Sequence, residues 1–367
     1  MVDFTFNRKI FKIREMAFTS IKNINPKKCD VIYLHSSDSE DLSGNMRVLA
    51  QMQYTLVNDL DIQTDELTAN IKKNCRYEIR RTLQKTAYCV FGPVTMAKIY
   101  YRLVMKEKLH LDNPTKFNEK INWYKLYYCP KNELIIKCSD KYDVRDFLSG
   151  LGMEKYLSEL ICSWDSPDEI CWDQLPQKFA LKLSNGCGYN IICANKSALN
   201  EKDTKKLLRK WMKDKFGYYN AEPHYNIGKK RIICEKYIDS ENFLPIDYKI
   251  HCMNGKAKVI QLCDERTNKT TRYTYYDEAG IPLKYGKYPP DEKLSLENGL
   301  LEEMIAVSEK VASYFPYVRV DFFINGNKLQ ISELTFSPSA GLKPDLAFGN
   351  GDIEMGKMWD ISCLIVD

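Results

Sequence analysis

The sequence predicts an α+β fold in which β-hairpins carry the polar side chains and amphipathic helices flank them. Residues 178–193 have the pattern of a strand, a glycine-rich loop and a second strand. Residues 318–336 have the alternating pattern of a half-buried β-hairpin, and residues 202–215 follow the spacing of an amphipathic helix capped by Asn200. A chain of 367 residues suggests two or three domains and can bury a sizeable core.

The glycine-rich segment is the first candidate binding element. Phe179, Leu181 and Leu183 share one face of its first strand, which leaves Lys182 on the other face. Residues 184–190 can turn sharply and present backbone N–H groups to an anion. A strand follows instead of a helix, so the loop is neither a Walker motif nor a Rossmann fingerprint. A tight turn without a ligand is the alternative.

The hairpin near the C-terminus carries two carboxylates. A loop at residues 326–328 would place Asp321 opposite Glu333 and Arg319 opposite Thr335, with all four side chains on one face. Two acids at cross-strand distance repel each other, and a divalent cation removes that cost. Mg²⁺ is usually held by one or two carboxylates together with phosphates. The alternative is a solvated hairpin face with incidental acids.

A strand at residues 231–238 is the third candidate. It is apolar except where Glu235 interrupts it, and the acidic segment 239–242 follows. The end of such a strand offers backbone groups to a purine edge, and Glu235 could accept a hydrogen bond from an exocyclic amine. The next hairpin turns at residues 254–255, and its Lys249 could reach either solvent or a phosphate.

From about Leu109 to the C-terminus the chain resembles the TupA-like branch of the ATP-grasp superfamily, which is associated with the assembly of bacterial cell-surface polysaccharides and teichuronopeptides. The segments that carry the resemblance follow the family's order: 113–128, 139–148, 164–170, 178–193, 235–238, 247–261 and 319–341. The resemblance implies an ATP-grasp fold, in which two α+β subdomains clamp ATP. A small N-terminal α/β extension precedes them.

The resemblance also assigns individual residues to ATP and Mg²⁺. The nucleotide contacts that it implies are Lys141 and Lys182 for the phosphates, Ser184, Gly186, Gly188 and Asn190 in the lid loop, Glu235, Lys236, Tyr237 and Ile238 for adenine, and Asp239 and Glu241 for the ribose. Asp321 and Glu333 match the carboxylates that bind Mg²⁺. Arg319, Lys249 and Arg266 are the catalytic candidates.

Two positions depart from the wider superfamily. Cys187 stands in the lid loop where a serine is usual, which removes a hydroxyl donor but no backbone donor. Thr335 stands where many ATP-grasp enzymes have a metal-binding asparagine. The TupA-like branch has threonine there, so the change does not indicate an inactive protein.

The implied reaction joins a carboxylate to an amine with release of ADP and phosphate, through an acyl phosphate. The expected carboxylate belongs to a uronic-acid sugar, free or nucleotide-linked, or to an amino acid, in capsule or cell-surface polysaccharide synthesis. Two alternatives stay open. A glycosyltransferase would use the acid pair Asp59 and Asp61, which has D-x-D spacing. A non-catalytic nucleotide-binding scaffold is the other, and ADP release that requires both substrates would separate the ligase from each.

The N-terminal region has a different character, and the expected division of the chain begins there. Residues 1–90 carry a basic helix capped by Thr64 and resemble the opening half of the Fem-type aminoacyltransferases, which have a GNAT-like fold. They are expected to form a docking module, so that a fragment beginning at residue 91 retains ATP binding. The expected units that follow are a helical lead-in with the first ATP-grasp subdomain (91–155), a lid subdomain (156–234) and a C-terminal subdomain with the Mg²⁺ site (235–367).

Composition favours a cytoplasmic protein. A balance of 54 Lys and Arg against 49 Asp and Glu gives a net charge of +5, which is too small to indicate a nucleic-acid partner. We expect no transmembrane segment, since no apolar run approaches the length of a membrane span and no signal-peptide core is evident. Thirteen cysteines without a C-x-x-C pair are expected to be reduced. A position at the inner face of the membrane, beside a lipid-linked substrate, is compatible with this expectation.

Overall fold

The computed structural model describes residues 75–237, 246–264 and 271–364, with side chains from residue 79 onward. The helices are α1 (Cys75–Val104), α2 (Phe117–Trp123), α3 (Glu133–Cys138), α4 (Val144–Gly150), α5 (Glu201–Lys213), α6 (Leu300–Ala312) and α7 (Gly351–Met358). The strands are β1 (Leu160–Trp164), β2 (Phe179–Leu183), β3 (Asn190–Cys193), β4 (Ile232–Lys236), β5 (Asp247–Met253), β6 (Lys256–Asp264), β7 (Arg272–Tyr276), β8 (Pro282–Leu283), β9 (Tyr317–Asn325) and β10 (Lys328–Thr335).

These strands form two antiparallel sheets. The small sheet has the order β1-β4-β2-β3, and the large sheet has the order β10-β9-β5-β6-β7-β8. A parallel bridge between Leu157 and Ile331 connects the segment before β1 to strand β10. The predicted α+β class is therefore confirmed, with the glycine-rich loop on one sheet and the two carboxylates on the other.

The small sheet packs its apolar face against helix α5. Phe179, Leu181 and Leu183 on β2 are buried in one core with Leu208 of the helix. The helix begins as predicted, because the Asn200 side chain accepts a hydrogen bond from a backbone N–H in its first turn. Lys182, which alternates with the buried leucines, is left on the opposite face of the sheet.

The large sheet has an apolar face and a polar face. Ile250, Val320 and Phe322 on its central strands are fully buried in a core that includes side chains of α6. Residues at alternate positions on β5 and β9 point to the other face and carry the charged groups. The β5–β6 turn lies at residues 254–255, as predicted, and both residues have positive φ.

Helix α1 extends past the expected boundary of the N-terminal module. It is broken at Gly92 (φ 77°, ψ 168°), just before Pro93, so the expected boundary at 90/91 falls beside this break. The expected boundary at 234/235 falls within strand β4, which pairs with both β1 and β2. The division into units stays a prediction. The cap at Thr64 and the acid pair at Asp59 and Asp61 lie outside the described residues.

The described helices also bear on the membrane question. None of them has both the length and the apolar character needed to cross a bilayer.

Candidate functional site

The β9–β10 hairpin places its four polar residues as predicted, but by another route. Asn325 pairs with Lys328, so the turn has two residues and not three. That turn alone would put Ser332 opposite Asp321. A β-bulge between Ile331 and Glu333 shifts the register by one residue. Glu333 therefore lies opposite Asp321, and, further along, Arg319 lies opposite Thr335.

Asp321 is the buried centre of this face. Its side chain is 1% exposed. Arg319 donates to both carboxylate oxygens at 2.6 Å, and the Lys249 ammonium donates to Oδ2 at 2.9 Å. Burial by itself would raise the pKa of Asp321, but the two cations outweigh it and hold the pKa below its ordinary value. Asp321 is therefore ionised at neutral pH.

Lys249 connects Asp321 to a second acid that the sequence reasoning did not include among the site residues. Its ammonium lies 3.0 Å from Asp247 Oδ2. Burial would lower the pKa of Lys249, but Asp247 and Asp321 raise it above the ordinary value. Asp247 stands two residues before Lys249 on the same strand, so the alternation of β5 could have placed it on this face.

Glu333 is more open than Asp321, with its side chain 34% exposed. It accepts a hydrogen bond from the Thr335 hydroxyl at 3.2 Å. The Arg319 guanidinium lies 3.9 Å away and the Lys141 ammonium lies 3.7 Å away. Glu333 is thus in contact with cations from two separate parts of the chain.

Lys141 joins the glycine-rich loop to the carboxylate hairpin. Its ammonium donates to the Gly186 carbonyl at 2.7 Å and lies beside Glu333. The base of the loop is tied to the same segment, because Ser184 Oγ donates to the buried Asp140 at 2.6 Å and the Lys141 backbone N–H donates to the Ser184 carbonyl. Two of the predicted phosphate-binding elements are therefore adjacent in space.

The loop itself has the backbone that its glycines permit. Gly186 and Gly188 have φ values of 92° and 79°, in the region that favours glycine. Cys187 and Gly188 are exposed at the tip, and Asn190 pairs with Lys182 across β2 and β3. The exposed tip leaves the backbone around Cys187 accessible to a ligand.

A second cluster surrounds Lys182. Its ammonium donates to Glu235 at 2.6 Å, and Arg145 of α4 lies 3.8 Å from the same carboxylate. Glu235 is 8% exposed. Arg145 was not predicted from the sequence as a site residue. A signal for it exists, because Arg145 follows Lys141 by four residues and so could share a helical face with it.

The remaining predicted contacts divide between described and undescribed residues. The Lys236 backbone N–H donates to the Glu159 carbonyl, and its ammonium pairs with the Glu159 side chain at 2.9 Å. Tyr237 lies beneath the Lys178 ammonium, 5.5 Å from the ring centroid. The other predicted site residues lie outside the described part of the chain: Ile238, Asp239, Glu241 and Arg266.

A buried polar cluster that the sequence did not reveal includes Ser337, two residues after strand β10. Lys125 is fully buried and donates to the carbonyls of Asn220 and Ala340, at 2.9 and 2.6 Å. Burial lowers its pKa to about 8, although the nearby Glu222 opposes the shift. Ser337 donates to Glu222 at 2.5 Å. This cluster fixes the chain immediately after strand β10.

The donor set fits Mg²⁺ when phosphate oxygens complete it. Asp321 and Glu333 supply two carboxylates in register, and Asp321 retains a lone pair on Oδ1 beyond its hydrogen bond from Arg319. Within the described ranges, no group of three or more Asp, Glu, His or Cys side chains gathers into a metal site. Such a pair suits a cation that is shared with a nucleotide better than one enclosed by protein alone.

Comparison with known families gives one match. Residues 119–357 match the family described as TupA-like ATPgrasp. The chain belongs to that family. The assignment covers the loop, both lysines and the carboxylate hairpin, and it makes the protein an ATP-dependent ligase by class. The predicted ATP-grasp fold is confirmed, whereas the Fem-type resemblance concerns a region outside the match.

The solved structures that match this chain include several ligases. A D-alanine–D-alanine ligase from Helicobacter pylori is 16% identical, with 66% of this chain and 69% of that chain covered and a TM-score of 0.38. A D-alanine–D-alanine ligase from Bacillus anthracis is 13% identical, with 87% and 94% covered and a TM-score of 0.36. D-cycloserine synthetase DcsG is 11% identical, with 61% and 70% covered and a TM-score of 0.36. No curated protein sequence matches this chain.

Proposed function

We propose that this ATP-grasp protein joins a carboxylate to an amine at the expense of ATP, during the assembly of a capsule or cell-surface polysaccharide. The position of Lys141 is the observation that carries the proposal. Its ammonium contacts the glycine-rich loop through the Gly186 carbonyl and approaches the β9–β10 hairpin at Glu333. A phosphate chain bound under the loop would therefore meet the two carboxylates at this point.

In the proposed reaction the substrate carboxylate attacks the γ-phosphorus of ATP and ADP leaves, after which the amine displaces phosphate from the acyl group. Lys141 and Lys182 would bind the phosphates, because each ammonium can donate a charge-assisted hydrogen bond to a phosphate oxygen. Arg319 stands beside the carboxylate pair and would bind the transferred phosphate. Lys249 donates to two carboxylates and has a third N–H group to offer a phosphate oxygen.

Asp321 and Glu333 would hold Mg²⁺, which when bound neutralises charge on the β- and γ-phosphate oxygens. The protein's own contribution is mainly positioning and exclusion of water. Arg319 and Lys249 serve this purpose because they keep Asp321 ionised and fixed in place despite its burial.

An acidic sugar is the carboxylate that we favour. Tyr273 pairs with Cys263, which in turn pairs with Asp247, so its ring lies on the same face of the large sheet as Lys249. The Lys343 ammonium lies over that ring, 2.9 Å from its centroid. An aromatic ring with a cation beside it suits a sugar that bears a carboxylate.

The test is a product search with the full chain. The protein is incubated with ATP, Mg²⁺ and pooled uronic acids, sugar nucleotides and amines, and products are read by mass with ADP measured in parallel. We expect ADP release that requires both a carboxylate and an amine, with an amide as product. Glu333→Gln is the inactive control and Lys215→Ala, an exposed substitution on the protein surface, is the active one.

Two results would overturn the proposal. ADP release that is indifferent to the added carboxylate would remove the ligase assignment. Release of UDP from a sugar nucleotide, without consumption of ATP, would favour the glycosyltransferase.

A further inference from the structure

Helix α1 reaches the base of the glycine-rich loop. Arg81 Nη1 donates to the Tyr189 hydroxyl at 3.0 Å and to the Asp214 carboxylate. Tyr189 in turn donates to Asp214 at 2.6 Å. A residue of helix α1 is thus hydrogen-bonded to a residue of the glycine-rich loop that lies 108 positions away in the sequence.

Other contacts fix the helix at the same place. The Arg81 guanidinium lies 4.2 Å from the ring centroid of Tyr219, and Gln84 donates to the Tyr219 carbonyl at 3.2 Å. The rings of Tyr88 and Tyr218 lie 4.8 Å apart. Three successive turns of α1 therefore contact the segment that follows helix α5.

Asp214 is the common acceptor of this junction. Tyr189, Tyr219 and Arg81 all donate to it. Burial would raise the pKa of Asp214, but the two hydroxyl groups and the arginine outweigh it and lower the pKa below its ordinary value. The acceptor is ionised, so the bonds to it are charge-assisted and hold their geometry strongly.

Tyr189 transmits its position to the loop. A Cβ on Gly186 would lie 2.9 Å from the Tyr189 ring, which shows that the ring packs directly against the Gly186 backbone. The Gly186 carbonyl in turn accepts from Lys141. The Tyr189 carbonyl also accepts from the Leu183 N–H, which closes the loop. A displaced Tyr189 would therefore move both the loop and the lysine that approaches Glu333.

We infer that helix α1 positions the nucleotide loop through Arg81, which holds Tyr189 against Asp214 and so sets the place of Gly186. Arg81 is a positioning residue, because it acts on the loop through its contacts with Tyr189, Asp214 and Tyr219. The inference rests on the proposed binding of ATP by residues 184–190. It also changes an expectation from the sequence, since a fragment that begins at residue 91 would lack Arg81.

The experiment uses the exposed Cys187 at the loop tip as a reporter. Full-length variants are treated with iodoacetamide over a range of Mg²⁺-ATP concentrations, and the alkylation rate of Cys187 is measured by peptide mass relative to that of the exposed Cys171. Mg²⁺-ATP should slow the labelling of Cys187 in wild type, and Arg81→Gln should need about five- to tenfold more ATP for half of that protection, as the loss of one charge-assisted bond predicts. Arg81→Lys retains the charge and should lie between wild type and Arg81→Gln.

A second variant and a matched control protect the test from a folding failure. Tyr189→Phe removes only the hydroxyl and should reproduce most of the Arg81→Gln effect. Arg102→Gln makes the same change at an exposed position of the same helix and should label like wild type. In the amide-forming assay, Arg81→Gln should raise KM for ATP about five- to tenfold and leave KM for the carboxylate within about twofold.

The outcomes separate this inference from the proposed function. If ATP protects Cys187 in wild type and half-protects it in Arg81→Gln at the same ATP concentration, α1 does not position the loop. If Arg81→Gln instead changes the labelling of Cys171 at every ATP concentration, the arginine serves general stability and the inference also fails. If ATP protects Cys187 in neither wild type nor any variant, the nucleotide role of the loop is wrong, and the inference that rests on that role fails with it.

Discussion

The two carboxylates of the β9–β10 hairpin should behave differently when they are neutralised. Glu333→Gln removes a side chain that is 34% exposed and whose cationic neighbours lie 3.7 and 3.9 Å away. Exposed pairs of this kind contribute about 0–1 kcal/mol to stability. We therefore expect the unfolding free energy of Glu333→Gln to lie within about 1 kcal/mol of the wild-type value. The variant should lose ATP turnover, because one of the two proposed Mg²⁺ carboxylates is gone.

Asp321→Asn should be costly as well as inactive. Asp321 is 1% exposed and accepts from Arg319 at both oxygens and from Lys249 at one. Removing one partner of a buried pair costs about 3–5 kcal/mol, because an uncompensated charge stays behind. Lys249 keeps Asp247 at 3.0 Å, so only Arg319 loses its main counter-charge. We expect a loss of about 3 kcal/mol, at the lower end of that range.

The assay is guanidinium unfolding of wild type and both variants, with ATP turnover measured on the same preparations. A double variant, Asp321→Asn with Arg319→Met, supplies the control because it removes the arginine that was left without a counter-charge. It should recover at least half of the lost stability. Equal costs for Glu333→Gln and Asp321→Asn would refute the distinction between an open and a buried carboxylate, and wild-type turnover in either would refute the metal assignment.

The same reasoning gives a pH dependence. The folded state lowers the pKa of Asp321 below its ordinary value of 3.8. A carboxyl with a lowered pKa contributes stability that is present above its unfolded pKa and is lost as the pH falls through the folded one. The difference in unfolding free energy between wild type and Asp321→Asn should therefore be full at pH 7 and should shrink only below about pH 3.8.

Three further outcomes are expected. Lys182→Ala should weaken ATP binding, measured by calorimetry, by about 1–3 kcal/mol. Lys215→Ala, at an exposed position, should change ATP binding little. Equal losses of affinity would mean that general basicity had been mistaken for a site. Burial raises the pKa of Asp352 to about 6, which favours its neutral form. Asp352→Asn should therefore be about 1–3 kcal/mol more stable than wild type at pH 8 and equal to it near pH 4. A difference in denaturant unfolding that is the same at both pH values would exclude this linkage. Gly341→Ala should cost well over 2 kcal/mol in thermal unfolding, since its Cβ would lie 2.4 Å from the Asn122 side-chain amide. Gly326→Ala, at a similar φ but in open space, should cost about 1 kcal/mol. Similar costs would show that backbone strain alone matters.

The hairpin shows how far alternation leads and where it stops. The alternation of β9 placed Arg319 and Asp321 on one face, because successive side chains of a strand point to opposite sides. The expected pairing of Asp321 with Glu333 was correct, but the reason for it was not. A two-residue turn and a bulge near Ser332 replace the three-residue loop. A bulge depends on how the strand packs on its neighbours, and local sequence does not specify it.

The sequence by itself determined which residues share a strand face, where the loop and turns lie, where helix α5 begins, and the family to which the chain belongs. The family rests on the resemblance of whole segments in their order, whereas the other properties follow from periods of two and 3.6 residues and from local capping, which act over a few positions. Only the tertiary structure brought Lys141 to Glu333, Lys182 to Glu235 and Arg81 to Tyr189. Those contacts join residues from separate sheets, strands and helices, and their partners are chosen by the packing of whole elements, which no local pattern encodes.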